Sequence, residues 1–355
     1  MHRPHLFLIL LLMALLAACG SPLFPQRGGP TVTTTSPATQ AVPTTATLAA
    51  SAASGGPLSH IDLGVGYIPN VQFAPLYVAQ SQGFFAEQGL EVELQYGFET
   101  DFVALTGQGK RQFAVASGDQ VVLARAQGIP VVYVAKWFQR YPVGVMALAE
   151  TGIDAPQKLE GHSVGIPVLH GASYVGWKAL VYVTKLDEKA VQLEVIGFAQ
   201  AEAVSEKAVD AAVIYVANEP VRLRHAGKKI NVLEVSDYIT LVSNGIVTNE
   251  QTIKEKPDLV RSLTRGFLKG LQYTLDHPDE AFAIVRQTIP EISDESAPVQ
   301  RAVLDASLAL WRTDQPGVSD RQAWLDTLAA MKAAGMIESL PEVETLYTNQ
   351  FVVVP

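Results

Sequence analysis

Four stretches of this 355-residue chain place amides, carboxyls and aromatic rings where a strand gives way to a helix. In "GYIPNVQFAPLYVAQ" they are Asn70, Gln72 and Phe73, with Pro69 fixing the backbone ahead of them. In "ASGDQ" they are Ser117, Asp119 and Gln120, beside Gly118. "VLHGASYVGW" supplies Gly171, Ser173 and Tyr174, and "YVANEP" supplies Tyr215, Asn218 and Glu219. Trp137 and Phe138 follow a further strand. Free N–H groups at a helix start and side-chain amides can read the polar edge of a ligand. Rings stack on a flat face, worth on the order of 1 kcal/mol per pair beyond the area buried. A carboxylate such as Glu219 at a cleft is costly unless paired, and an amino or imide N–H on a ligand would pair it. The combination suits the capture of a flat nitrogen heterocycle without altering it. Two of these residues have a plainer alternative, since Asn70 and Asp119 are also good helix caps. For Tyr174, with Trp177, core packing is the better single explanation.

Chemistry beyond binding finds little support. Cys19 is the only cysteine, which excludes disulfides, thiolate metal clusters and cysteine catalysis elsewhere. The seven histidines are scattered without metal-ligand spacing, and His170 alone falls near a candidate cleft. No phosphate-binding loop or glycine-flanked nucleophile occurs. We therefore expect no catalytic residue, no metal and no cofactor. A net charge of −9 without a block of lysine or arginine argues against nucleic acid. No arginine lies beside the three amide- and glycine-bearing junctions at Asn70, Ser117 and Gly171, which argues against a strongly anionic ligand.

The elements that must position these groups alternate. "IDLGVGYI", "EVELQYGF", "QFAVAS" and "PVVYVAKW" read as strands separated by helices over about 73–87, 100–109 and 119–127. A second series starts near Leu159 with "EGHSVGIPV", "QLEVIGF" and "DAAVIYVA" as strands. The fold class is α/β, two lobes each with a mainly parallel sheet flanked by helices, and such sheets gather ligands beyond the carboxyl ends of their strands. We divide the chain into a first lobe of residues 60–148 plus 246–355 and a second of 149–245. Leu259, Leu263, Phe267, Leu271 and Leu275 recur at helical spacing in the last third, where Trp311 and Trp324 read as structural. Residues 1–18 have the charge order of an export signal, with Arg3 ahead of "LFLILLLMALLAA". Residues 19–59, rich in Thr, Ser, Ala and Pro, have no period that could bury a face and should form a linker. Treated as a flexible coil, that linker reaches on the order of 35 Å.

Two resemblances follow from these residues. "LAAC" at Leu16–Cys19 resembles the lipobox of bacterial lipoproteins, which implies an acylated Cys19 as the mature N-terminus and a body held outside the cytoplasm at the cell membrane. The stretches "YIPNVQFAPLYVAQSQGFFAEQGLEVEL", "FAVASGDQVVLARAQGIPVVYVA", "KLEGHSVGIP", "DAAVIYVANEP" and "KPDLVRSLTRGFLKGLQYTLDHPDEA" together resemble type II periplasmic solute-binding proteins of ABC importers. The branch is that of sulfonate, nitrate and thiamine-pyrimidine-precursor receptors, and "PN" and "NEP" fit its vitamin sub-branch. The resemblance implies a monomeric receptor that delivers riboflavin, or alternatively a thiamine pyrimidine precursor, to a permease and its ATPase. Thiamine-pyrimidine synthases share the scaffold but carry a cysteine-rich run that this chain lacks. A structural lipoprotein with no pocket is the remaining alternative.

Overall fold

The computed structural model describes residues 57–352, so the signal segment, Cys19 and the linker up to residue 56 lie outside the described residues. Among the described residues there are ten strands: β1 Ser59–Gly66, β2 Leu90–Gly97, β3 Phe113–Ser117, β4 Val131–Lys136, β5 Val143–Leu148, β6 Ser163–Ile166, β7 Gln192–Val195, β8 Ala211–Tyr215, β9 Ile230–Glu234 and β10 Asn244–Asn249. They form two five-stranded sheets of order β2-β1-β3-β10-β4 and β7-β6-β8-β5-β9. β1 pairs in parallel with β2 and β3, and β6 with β7 and β8. β10 runs antiparallel to β3 and β4, and β5 antiparallel to β8 and β9. The sheets are therefore mixed, and in each the reversed strand is the first one after the chain crosses over.

That topology moves the crossing points. The sequence reading closes the first lobe at residue 148, but β5 pairs only within the second sheet, and β10 enters the first sheet from Asn244. The reason is physical: "VGVMAL" is buried along its whole length, as β3 and most of β4 are, and a strand covered on both faces carries no pattern that names its sheet. The two crossings touch. The backbone N–H groups of Trp137 and Phe138 both donate to the Asn244 carbonyl, at 3.0 and 3.1 Å.

A helix follows most strands: α1 Ala74–Ser81 after β1, α2 Glu99–Gly107 after β2, α3 Gly118–Ala126 after β3, α4 Gly171–Thr184 after β6, α5 Gln200–Ser205 after β7 and α6 Glu219–His225 after β8. α1 stops well short of the expected residue 87, because Gly83 takes a φ of 74° and turns the chain. The last part is helical: α7 Glu250–Glu255, α8 Pro257–Asp276, α9 Pro278–Thr288, α10 Ala297–Trp311, α11 Arg321–Ala333 and α12 Val343–Leu346. α8 buries Leu263, Phe267, Leu271 and Leu275 on the expected face, each worth about 1.5–3 kcal/mol relative to exposure. It lies so close to α1 that a Cβ at Gly270 would collide with the Pro75 carbonyl oxygen.

The C-terminal helices also hold the crossings. The Leu310 carbonyl of α10 accepts from the Gln139 N–H at 2.8 Å, and Thr327 Oγ1 of α11 accepts from the Val242 N–H at 2.8 Å. Trp311 and Trp324 are fully buried, Trp324 between Tyr133 and the stacked ring of Tyr347. Among the described residues no helix is long and apolar enough to cross a membrane.

Candidate functional site

A cleft runs between the two sheets at the carboxyl ends of their strands, with a volume near 920 Å³ including space open to solvent. From the first sheet come Tyr67 after β1, Phe98 and Glu99 after β2, and Gln72 and Phe73 from the turn before α1. From the second come Phe198 and Gln200 after β7, Ser173 at the start of α4, Tyr215 at the end of β8, and Asn218 and Glu219 after it. Trp137, Phe138 and Asn244, where the crossings meet, lie at the base. The lining contains no lysine or arginine.

Rings from both sides meet at the mouth. Tyr67 meets Phe198 edge-on with centroids 4.7 Å apart, and Phe98 lies 6.1 Å from Phe198 and 5.5 Å from the His170 ring. Thr100 Oγ1 is 3.2 Å from His170 Nδ1 across the same gap. Phe98 and Phe198 are 42% and 38% exposed, so parts of both rings remain uncovered. Tyr67 adopts a φ of 88°, a region that non-glycine residues occupy only at a cost of roughly 1–3 kcal/mol when the surroundings fix them. Its N–H donates to the Gly97 carbonyl at 2.8 Å, and burial with the nearby Glu219 pushes its hydroxyl up to about 12.

Three polar ends on cleft-lining residues have no protein partner: the amide ends Gln72 Nε2 and Gln200 Oε1, one from each side, and the indole Nε1 of Trp137, all on buried residues. An unpaired buried amide end costs about 1–3 kcal/mol, which a ligand atom can recover. Two carboxyls join them. Glu219 Oε2 accepts from the Tyr215 N–H at 3.0 Å, yet burial still pushes its carboxyl up to about 7. Glu99 Oε1 accepts from both the backbone N–H and the hydroxyl of Ser117, at 2.5 and 2.9 Å, while burial and the neighbouring Asp119 push it up to about 7.

Of the residues named from sequence, Gln72, Phe73, Trp137, Phe138, Gly171, Ser173, Tyr215, Asn218 and Glu219 line this cleft. Five do not. Asn70 is a cap, its Oδ1 accepting from the Gln72 N–H at 3.0 Å and its own N–H donating to the Tyr77 hydroxyl at 3.3 Å. Ser117, Asp119 and Gln120 are buried outside the lining, Ser117 bonded to Glu99 and Gln120 to Asp119. Tyr174 packs on the core of the second sheet. Trp137 and Phe138 belong more to the core than to the cleft, at 0% and 4% exposure, with Trp137 enclosed by Phe73, Phe138, Phe267 and Trp311.

Sequence reasoning missed Tyr67, Phe98, Glu99, Phe198, Gln200 and Asn244. "YGFET" and "IGFAQ" carry the same signal as the junctions that were found, a ring and a polar group between strand and helix. The histidines have no metal-ligand spacing along the chain, yet pairing of β1 with β2 brings His60, Asp62 and Glu93 together on the exposed surface, where His60 Nε2 lies 3.3 Å from Asp62 Oδ1.

Comparison with known proteins returns a consistent set. Residues 70–281 match the model of the family described as NMT1/THI5 like. The riboflavin-binding protein RibY of Chloroflexus aurantiacus is 38% identical over 330 residues, covering 90% of this chain and 94% of that protein. The formylaminopyrimidine-binding protein of Halalkalibacterium halodurans is 28% identical, over 82% of this chain and 90% of its own length. A 4-amino-5-hydroxymethyl-2-methylpyrimidine phosphate synthase of Legionella pneumophila is 24% identical, over 83% and 92%. Among solved structures, the periplasmic aliphatic sulphonate binding protein SsuA of Escherichia coli superposes with a TM-score of 0.65 at 13% identity, covering 82% of this chain and 92% of that one. The last likeness concerns the fold, the two-sheet architecture of periplasmic binding proteins.

Proposed function

The chain belongs to the NMT1/THI5-like family, and from that premise we propose that it is the solute-binding component of an ABC importer whose ligand is a flat nitrogen heterocycle, riboflavin in the first instance. The observation that carries this reading is the pair of unpartnered amide ends, Gln72 Nε2 and Gln200 Oε1, contributed from opposite sides to one cleft. A donor and an acceptor of this kind match the imide and carbonyl edge of a heterocycle. The half-open rings Phe98 and Phe198 and the half-buried Tyr67, Phe73 and Tyr215 offer faces for stacking. Two carboxyls and no fixed cation make the cleft unsuited to a sulfonate or a phosphate. The likeness to a protein named for riboflavin binding supports the same ligand.

A pyrimidine precursor of thiamine is the second reading, favoured by the likeness to the formylaminopyrimidine-binding protein. It needs the same donor and acceptor but fewer rings. The synthase reading draws on a more distant relative, and the only cysteine, Cys19, directly follows the proposed export signal. In our reading the receptor is a monomer, acylated on Cys19, held outside the cytoplasm at the cell membrane, and serves a permease and its ATPase.

Titration of the purified protein with riboflavin and with formylaminopyrimidine, followed by flavin fluorescence and calorimetry, tests the ligand class. Submicromolar binding of riboflavin supports the first reading and of the pyrimidine the second. Failure of both to bind discards the heterocycle reading.

A further inference from the structure

Residues 98–100, which lead into α2, meet residues 170–171, which lead into α4, across the mouth of the cleft. The Phe98 ring lies 5.5 Å from the His170 ring, and Thr100 Oγ1 is 3.2 Å from His170 Nδ1. Between those two contacts Glu99 turns toward Gly171. A Cβ built on Gly171 would have a single neighbour within 4 Å, Glu99 Oε2 at 3.9 Å. Gly171 has a φ of 73°, where glycine is favoured, so no side chain closes the space in front of that carboxyl.

Glu99 is fixed at its other oxygen. Its Oε1 accepts from the Ser117 N–H and hydroxyl at 2.5 and 2.9 Å. His170 Nδ1 is engaged by Thr100, and its Nε2 has no protein partner among the described residues. The hydroxyl of Ser173, in the first turn of α4, has none either. Glu99 and Ser173 are half-buried and His170 is exposed, so all three can be reached from the cleft that they line.

This group differs in kind from the amide ends of Gln72 and Gln200. A flat heterocycle presents its polar atoms in its own plane, and one donor with one acceptor can meet such an edge. At the mouth, the carboxyl of Glu99 accepts when ionised and can donate when protonated, the Ser173 hydroxyl does both, and a neutral imidazole nitrogen does one or the other by tautomer. A mixed set on two facing walls suits a ligand group that itself donates and accepts and can rotate about its bond to carbon. That group is a hydroxyl. With no lysine or arginine in the lining, the set does not suit a phosphate or a carboxylate.

We propose that Glu99, His170 and Ser173 form a second subsite of the cleft, one that takes a chain of hydroxyl groups attached to the heterocycle. The ligand class is thereby narrowed to a flat ring system bearing a polyol. The inference rests on the heterocycle-binding reading and deepens it: the ring supplies stacking and an edge, and the chain supplies the selectivity for this ring over its bare form.

The experiment compares riboflavin with lumiflavin, the same three-ring system with a methyl group in place of the hydroxyl chain, by fluorescence titration. Wild type should bind riboflavin about tenfold or more tightly than lumiflavin. Ser173→Ala and Glu99→Gln should each weaken riboflavin by about threefold to tenfold and leave lumiflavin within about twofold of wild type. Gln72→Ala, on the edge-reading amide, should weaken both flavins alike. Glu99→Gln keeps the size of the side chain and an oxygen for Ser117, and Ser173→Ala alters a half-buried hydroxyl, so one variant still decides if the other does not fold. Equal affinity of wild type for the two flavins overturns the subsite while the riboflavin reading stands. Loss of both flavins in equal measure from Glu99→Gln and Ser173→Ala overturns it too, since those residues would then serve the ring or the fold. If wild type binds neither flavin, the riboflavin reading fails and the subsite falls with it.

Discussion

Two groups of aromatic rings border the cleft, with phenylalanine in both. At the base, Trp137 is enclosed by Phe138, Phe267, Trp311 and Phe73, with centroid distances of 5.2 to 6.3 Å, and has no exposed surface. At the mouth, Tyr67, Phe98 and Phe198 touch one another edge-on or at a tilt, and Phe98 and Phe198 keep about two fifths of their surface open. A ring contributes to a ligand only through a face the protein has not already covered. The base therefore supplies rigidity, and the mouth supplies recognition. Amides divide in the same way: Asn70 commits its Oδ1 to its own turn, while Gln72 and Gln200 end in atoms with nothing to bond.

The sharpest test of the division is Trp137→Ala. Removing a large buried ring should cost about 3–5 kcal/mol of stability, seen as a marked fall in the thermal or denaturant midpoint. Protein that remains folded should bind riboflavin with an affinity changed far less than that. If stability holds and binding alone disappears, Trp137 is a ligand face and the division is wrong.

Phe198→Ala is the mirror image and a smaller effect. Its ring lies on a half-exposed turn after β7, so stability should stay within about 0.5 kcal/mol of wild type. Riboflavin affinity should fall about tenfold, the size of one lost stack with its buried area. An unchanged affinity beside a lowered midpoint would move Phe198 into the structural group.

How much of this could be read from the chain alone follows the same line. The alternation of "FAVAS" and "VVYVAK" with helical stretches was legible because a strand buried on both faces is a short continuous apolar run, which local sequence shows directly. Which sheet "VGVMAL" joins was not, since its partners β8 and β9 lie far along the chain and nothing local names them. The rule that a ring and a polar group between strand and helix mark the cleft was sound. It found Gln72, Phe73, Tyr215 and Glu219, and it would have found Phe98, Glu99, Phe198 and Gln200 had it been applied to the junctions after β2 and β7 as well. What it could not provide was depth. Asp119 and Glu99 are both acids at helix starts, yet Glu99 faces the cleft and Asp119 stands behind it, a difference set by how α2 and α3 pack. Nor does composition tell a covered tryptophan from an open phenylalanine.

Asn70 is where the two readings of one residue separate most cleanly, though by the smallest margin. It sits beside Gln72 in sequence and has the same amide, so type and position alone would assign both to the ligand. Its Oδ1, however, already accepts from the Gln72 N–H, and an extended backbone with φ −152° and ψ 151° is the geometry of a helix cap. Loss of that cap in Asn70→Ala should lower stability by about 1 kcal/mol, read as a small shift of the denaturation midpoint. Riboflavin affinity should fall less than in Gln72→Ala, because the cap only orients the turn that carries Gln72, whereas the Gln72 amide end has no bond except the one a ligand would make. If Asn70→Ala were the weaker binder of the two, the unpaired atom would not be the one that matters, and the distinction between engaged and open groups would fail at the point where it is easiest to measure.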